Sequence, residues 1–206
     1  MKASLRRLGD LAEIQTGIPV RSLVSREQSG GVLVFALMPS SLKSDAQISP
    51  SLSDLCPSIA DFPPEARHEV RPEDILVTAK STADSMRCAI IARSWNGEQT
   101  PCFSSSLIRI QTKHDSGAMP RYLHAWLSSQ EGKSALYAES QSATNQLNLT
   151  ATSISNVRVP IPSLADQQRV VEFLNQAEIA HHCATDAATT RLHLAREIAF
   201  RSLSHE

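Results

Sequence analysis

Apolar residues fall along this chain in three rhythms, and each predicts a different kind of element. The first is the continuous run bounded by turn residues, which reads as a buried strand. Val32-Leu33-Val34-Phe35-Ala36-Leu37 is the clearest case. A turn at Arg71-Pro72-Glu73-Asp74 launches a second run, Ile75-Leu76-Val77-Thr78, and Cys88-Ala89-Ile90-Ile91-Ala92 is a third. Asn96-Gly97 is a turn signal. A fourth strand is expected within Phe103 to Ile110, with Leu107, Ile108 and Ile110 apolar and Arg109 facing out.

The second rhythm is helical. Leu8, Leu11 and Ile14 lie three apart, which predicts a short amphipathic helix capped by Gly17. Pro120 precedes Arg121-Tyr122-Leu123-His124-Ala125-Trp126-Leu127, a helix with proline in its first turn. Leu136 and Tyr137 mark another helix after Gly132, and a helical turn is expected near Thr152. Between these elements the chain is polar. Residues 18–31 read as a long loop, and 39–64 as irregular connection with one short strand near Ile48. Residues 80–85 read as a loop, and 140–150 as an uncharged tract rich in amides and hydroxyls.

The third rhythm fills the last fifth of the chain, entered through V-R-V-P-I-P-S-L-A-D-Q-Q-R-V-V-E-F-L, Val157 to Leu174. Pro160 and Pro162 lack backbone donors, so this segment belongs at a sheet edge or in an extended strap. Ser163 with Asp166 three residues on is a capping-box-like helix start. No glycine or proline follows Ser163. At 1.5 Å per residue, a helix from Leu164 to Leu203 is roughly 60 Å long. Val170, Leu174, Ala177, Ala184, Ala188, Ala195 and Ile198 recur at coiled-coil-like steps, interrupted by His181 and Arg191. Two arrangements satisfy this pattern: a helix folded back over its own domain, broken near His181, or a spacer that pairs with another long helix. The predicted class is therefore α+β. A compact mixed domain, residues 1–162, is followed by one long C-terminal helix, residues 163–206.

The chain has 206 residues, near-neutral net charge (−1) and only 4% aromatic residues, so its core must rest on aliphatic side chains. The N-terminus has no apolar signal region and no run is long enough to span a membrane. Cys56, Cys88, Cys102 and Cys183 are widely spaced with no C-x-x-C pair, which fits a reduced, cytoplasmic chain with free thiols. Near-neutrality counts against tight DNA binding by the isolated chain, because DNA binders commonly carry a basic excess.

Catalytic signals are missing. There is no glycine-rich phosphate loop and no G-x-S-x-G elbow. A [DNS]-P-P-[YFW] tetrapeptide of the adenine-methylating kind is likewise absent from the sequence. Ser104-Ser105-Ser106 has no His or acid at an informative spacing. His181-His182-Cys183 looks like a metal cluster, but adjacent helical residues point about 100° apart. Only His182 and Asp186 share a face, and two ligands make a weak site. No metal or cofactor is expected, and His181 reads as a polar layer in the helical seam.

The ordered pieces L-G-D-L-A-E-I-Q-T-G, R-P-E-D-I-L-V-T, S-S-S-L-I-R-I, P-R-Y-L-H-A-W-L-S-S, T-N-Q-L-N-L-T and V-P-I-P-S-L-A-D-Q-Q-R-V-V-E-F-L cover nearly the whole chain. Together they resemble one target recognition domain, plus its spacer helix, of a type I restriction-modification specificity subunit. The closing motif is the most specific of them. The resemblance implies a non-catalytic subunit that reads double-stranded DNA and docks an adenine methyltransferase subunit, with a restriction-translocase subunit as a further partner. Typical members carry two such domains joined by two antiparallel helices. This chain has one domain and one helix, which predicts a half-subunit that self-associates through Val170, Leu174, Ala177, His181, Ala184, Ala188, Ala195 and Ile198. The initiating Met and charged C-terminal end favour a natural half-subunit over a fragment.

Within that resemblance, DNA contacts are expected from Arg21, Lys80, Ser81, Thr82, Arg87, Ser104, Ser105, Asn145, Gln146 and Asn148. These residue types donate to phosphates or pair with base edges. Taken singly, each reads better as a solvated loop residue or one satisfying local backbone; it is their joint position in the recognition-domain pattern that supports the group, with the Lys80 to Arg87 loop first. The competing function is a protein-interaction or regulatory module that binds a methyltransferase without reading DNA. A small nuclease is a distant third, because no metal-binding acidic constellation is visible.

Overall fold

The computed structural model describes residues 3–22, 31–42, 47–50, 54–82, 85–95, 101–140 and 146–203. In chain order the elements are β1 (Ser4–Arg7), α1 (Leu8–Leu11), β2 (Ala12–Thr16), β3 (Val20–Ser22), β4 (Val32–Leu37), β5 (Gln47–Ile48), β6 (Leu55–Ala60), β7 (Ile75–Thr78), β8 (Lys80–Thr82), β9 (Cys88–Ile91), β10 (Cys102–Phe103), β11 (Leu107–Thr112), α2 (Pro120–Ser128), α3 (Gln130–Ala138), β12 (Gln146–Asn148), α4 (Ala151–Asn156), β13 (Arg158–Ile161) and α5 (Leu164–Leu203). Short 3-10 turns lie at Pro39–Ser41, Ala66–His68 and His114–Ser116. The chain divides into a mixed α+β unit ending at Gln167 and a helical unit from Gln168 onward.

The apolar runs become the middle of the sheets. β7 and β9 are buried at every position, as a strand covered on both faces must be. They lie in a five-stranded sheet of order β2-β11-β7-β9-β5, antiparallel except for β5 against β9. β4 lies in a second sheet of order β10-β4-β6-β3. Phe103, Leu107, Leu76, Ile91, Leu37 and Val70 form the principal apolar cluster, and Ile18, Val34, Ala36, Ala60 and Cys102 form a second. α2 lays Tyr122, Leu123, His124 and Leu127 inward, and His124 Nε2 lies 3.1 Å from the Cys88 carbonyl of β9.

Several expectations change. The helix foreseen over residues 8–17 stops after one turn, and Ala12–Thr16 continues as β2 beside β11. Leu8, Leu11 and Ile14 therefore serve a turn and a strand, a spacing shared by both readings over so short a stretch. Gly17 is no helix cap. A Cβ there would collide with the Phe103 and Ser104 carbonyls, so glycine permits a close backbone approach. The 18–31 loop contains β3, and the irregular 39–64 stretch contains β6 as well as β5. β6 includes the exposed Pro57, a residue that would ordinarily argue against a central strand. Among the described residues the β3 register ends with Ser22 opposite Ser58, one position short of Pro57.

Arg109 does not face out. It is 4% exposed, and its Nη1 donates to the Glu69 carbonyl at 2.5 Å and lies 3.8 Å from Asp74 Oδ2. Its guanidinium carbon sits 5.7 Å from the Phe103 ring centre. β11 has strands on both sides and cover on both faces, so alternation along it does not mean exposure. Asp74 is fully buried and accepts from the Arg71 N–H at 2.8 Å. Burial pushes its carboxyl up to about 6, against the pull of the Arg71 N–H and the Arg109 charge.

Among the described residues, the proline strap pairs with one neighbour. β13 runs antiparallel to β1, with Leu5 opposite Pro160. α5 follows, started by Ser163, whose Oγ donates to Asp166 Oδ2 at 2.9 Å and accepts from the Asp166 N–H at 3.2 Å. Within the helical unit, Phe173, Leu174, Ile179, Leu192, Leu194, Ile198 and Phe200 are exposed.

Candidate nucleic-acid interface

The feature that gathers the polar candidates is a ribbon outside the main sheets. β8 pairs antiparallel with β12, placing Lys80 opposite Asn148, Ser81 opposite Leu147 and Thr82 opposite Gln146. Neither strand was legible as a strand. Each is three residues of polar or mixed character, too short for alternation to declare itself. The register joins residues 80–82 of one polar tract to residues 146–148 of the other.

The ribbon is fastened at its root by backbone bonds. The buried Ala79 donates to the Ser106 carbonyl and accepts from the Leu149 N–H, both at 2.8 Å. Leu149 is itself buried, and Thr150 beyond it caps α4 through a reciprocal pair with Ser153. On the other side, Thr82 is held by Ser85, whose Oγ accepts from the Thr82 N–H at 2.8 Å and lies 2.8 Å from its hydroxyl. The Met86 N–H then donates back to the Thr82 carbonyl at 3.0 Å, and the Met86 side chain is buried. Polar side chains thus stand on a short ribbon anchored at both ends in the core.

Lys80, Thr82 and Asn148 are exposed along it, and Ser81 is half-buried. A two-stranded ribbon is one of the two elements the major groove of B-DNA admits. An exposed Asn amide matches the adenine edge, a Lys ammonium matches guanine or phosphate, and a Thr hydroxyl serves either strand. Gln146 belongs to β12, and Asn145 lies outside the described residues.

The remaining candidates separate. Arg87 is half-buried beside the ribbon, its N–H donating to Thr78 Oγ1 at 3.1 Å and its Nη1 to the Met86 carbonyl at 3.2 Å. Ser105 sits in the turn that supports the Ala79 root, with its N–H on the Ile18 carbonyl at 2.8 Å. Ser104 is 1% exposed, so its hydroxyl is closed to a ligand in this conformation. The serine triplet looked uniform in sequence, but its first member is bridged to Ile18 and faces the core. Arg21 stands on β3 with an exposed guanidinium paired to Asp61. An exposed pair of this kind contributes little and exchanges readily for a phosphate.

Sequence reasoning missed Gln167, which lies at the junction with α5 and is fully buried. Its neighbour-rich motif was visible as L-A-D-Q-Q-R, but nothing in the letters distinguishes the buried Gln167 from the exposed Gln168. His181 and His182 are exposed, with ring centres 6.1 Å apart. No described helix is long and apolar enough to cross a membrane.

A family model for the type I restriction modification DNA specificity domain matches residues 3–182. Among solved structures, a chain from a study of complex assembly and conformational transition in a type I R-M system is similar at TM-score 0.60 and 18% identity, over 95% of this chain and 43% of that one. The HsdS subunit from Thermoanaerobacter tengcongensis is similar at TM-score 0.54 and 19% identity, over 90% of this chain and 40% of that one. The type IIG restriction endonuclease BpuSI gives TM-score 0.53 and 11% identity, over 83% and 26%. At these identities the likeness is one of fold. This chain spans less than half the length of each of the three. No curated protein matches it.

Proposed function

Because this chain belongs to the family of type I restriction-modification DNA specificity domains, we propose that it is the non-catalytic recognition subunit of such a complex, built at half length. It reads one half of a split double-stranded target and docks an adenine methyltransferase subunit. A second copy, paired through α5, reads the other half. A restriction-translocase subunit joins the same assembly, which acts on DNA in the cytoplasm. The observation that carries the DNA-reading role is the β8–β12 ribbon, which sets Lys80, Thr82 and Asn148 side by side on a rooted element of groove-compatible width.

The helix supports the pairing. Leu174, His181, Ala188 and Ala195 alternate with Val170, Ala177, Ala184 and Ile198 as the two apolar positions of a heptad. An antiparallel second copy then sets Val170 against Ala195 and Ala177 against Ala188. The flanking positions fall together as well: Phe173 meets Leu194 and Asp166 meets Arg201. The exposed Phe173 and Leu194 cover each other and one pair of opposite charges faces across, in a two-fold arrangement that closes. Arg191 falls opposite Leu174, where its methylene stem covers the leucine while its charge reaches water. A two-fold dimer implies a palindromic split target.

One observation favours the rival module that binds a methyltransferase without reading DNA: the net charge of −1. Footprinting separates the two. With the methyltransferase subunit present, the recognition role protects one duplex sequence specifically, and the Lys80→Ala, Asn148→Ala double variant loses that protection. Equal retention of all duplexes by the complex selects the module.

A further inference from the structure

We propose that Arg7 and Arg158 form a phosphate-binding site, which holds the backbone of the duplex whose bases the β8–β12 ribbon reads; the inference rests on the DNA-reading role proposed above. β1 and β13 place the two arginines directly opposite each other. Both are exposed, and neither forms an ion pair or a side-chain hydrogen bond with another described residue. Cross-strand neighbours of an antiparallel pair have Cβ atoms about 4.5–5.5 Å apart, where like charges repel. Other cations close by are tied inward: Arg6 Nη1 donates to the Ser116 carbonyl at 2.6 Å, and Lys113 Nζ to the Gly9 carbonyl at 2.8 Å. Arg7 and Arg158 are the two that face outward together.

The backbone beneath the pair is fixed. Val157 and Val159, on either side of Arg158, are buried, and the Leu8 N–H after Arg7 donates to the Val157 carbonyl at 2.8 Å. Tyr122 Oη donates to the Pro160 carbonyl at 2.7 Å. Two guanidinium groups on such a base suit a phosphate, because each planar fork can give two parallel N–H bonds to its oxygens. A bound anion also relieves the repulsion between the arginines, which the free chain leaves unrelieved. The chain ties this pair to the ribbon. Asn148 of β12 leads through Leu149, Thr150 and the six residues of α4 to Arg158. That path is at most about 25 Å long. It corresponds to about seven base-pair steps of roughly 3.4 Å, so one duplex can span both. Contacts of this kind fix where a duplex sits and leave base choice to the ribbon. They also fit the net charge of −1, since a sum over the whole chain hides one local pair.

The test uses the full chain with its methyltransferase subunit, titrated with a set of duplexes at about 50 and about 200 mM salt. Arg7→Gln with Arg158→Gln is expected to weaken every duplex by a similar factor, with base preference unchanged. That deficit is expected to shrink roughly tenfold between the two salt concentrations, the signature of about two lost phosphate contacts. Arg7→Lys with Arg158→Lys keeps both charges and is expected to keep the wild-type salt slope. The Tm of the Gln variant is expected to hold or rise, because a like-charge contact has gone; a fall would give the arginines a structural role and overturn the inference. An unaltered salt slope in the Gln variant, while wild type binds DNA, overturns it and leaves the proposed function standing. Loss of methyltransferase association in the absence of DNA, read by sedimentation, assigns the pair to an acidic protein surface and overturns it as well. A wild-type complex that binds no duplex overturns the DNA-reading role and this inference with it.

Discussion

Gly17 and Asp74 show how much single positions carry here. At Gly17 two backbone segments approach so closely that no side chain fits, because a Cβ would meet the carbonyls of Phe103 and Ser104. Gly17→Ala is expected to cost about 2 kcal/mol or more, since backbone cannot move aside as a side-chain tip can. Thermal unfolding reads this as a clear fall in Tm; an unchanged Tm would mean the strands separate freely there. The sequence marked Gly17 as special but gave the wrong reason, because a helix cap and a close approach both demand glycine. At Asp74 the folded carboxyl holds its proton up to about pH 6, where the unfolded chain, near its ordinary value of 3.8, has already released it. Stability from this group is therefore greatest at low pH and falls as pH rises from about 4 to about 6. Asp74→Asn is expected to remove that slope, worth up to roughly 3 kcal/mol across the window. His68 pulls the other way: burial and Arg67 lower its pKa, so its contribution is lost as pH falls below 6.5. The measurement is thus the difference in urea stability between wild type and Asp74→Asn at pH 4, 5, 6 and 7. A difference that stays flat contradicts the assignment.

At the scale of elements, the strands with continuous apolar runs were legible because burial on both faces writes itself into sequence. The strap and α5 were legible because proline and the lack of helix breakers are strong local signals. β8 and β12 were not, since a ribbon of three-residue strands is defined by its partner and its roots. Its candidate residues were found by chemistry, and their pairing needed the fold. The serine triplet shows the converse, with Ser104 buried and Ser105 beside the ribbon root. Two predictions belong here. Lys80→Ala is expected to weaken binding to all duplexes by a similar factor and to lower the salt dependence of log K by about one ion. Asn148→Ala is expected to relax preference at one base position by about 1–3 kcal/mol. Competition binding at two salt concentrations distinguishes them, and a uniform loss from both would assign the ribbon to phosphate contact alone. On α5, Leu174→Asp with Ile198→Asp places charges in the proposed seam. Sedimentation equilibrium is expected to show a dimer for wild type and a monomer for the variant, with domain stability unaltered; a monomeric wild type at micromolar concentration rejects the pairing.

For the whole molecule, neutral net charge and DNA reading are compatible when recognition is shared. A chain with little basic excess gains little from the phosphate backbone, so under the proposed function a partner supplies affinity and the chain supplies selectivity through a few exposed groups. In the proposed assembly, two copies related by a two-fold axis would double those groups and convert a short half-site into a longer split one. The order of sequence pieces identified the family and its α+β fold better than any single motif, because each piece alone is common polar loop or aliphatic strand. Global charge could not reveal the ribbon, since it sums over surfaces that never meet the same ligand. The most direct test of the account is selection of bound duplexes from a randomised pool by this chain together with its methyltransferase subunit. The account predicts one enriched target made of two inverted copies of the same short sequence at a fixed separation. Enrichment of no sequence, or of a single undivided one, would contradict it.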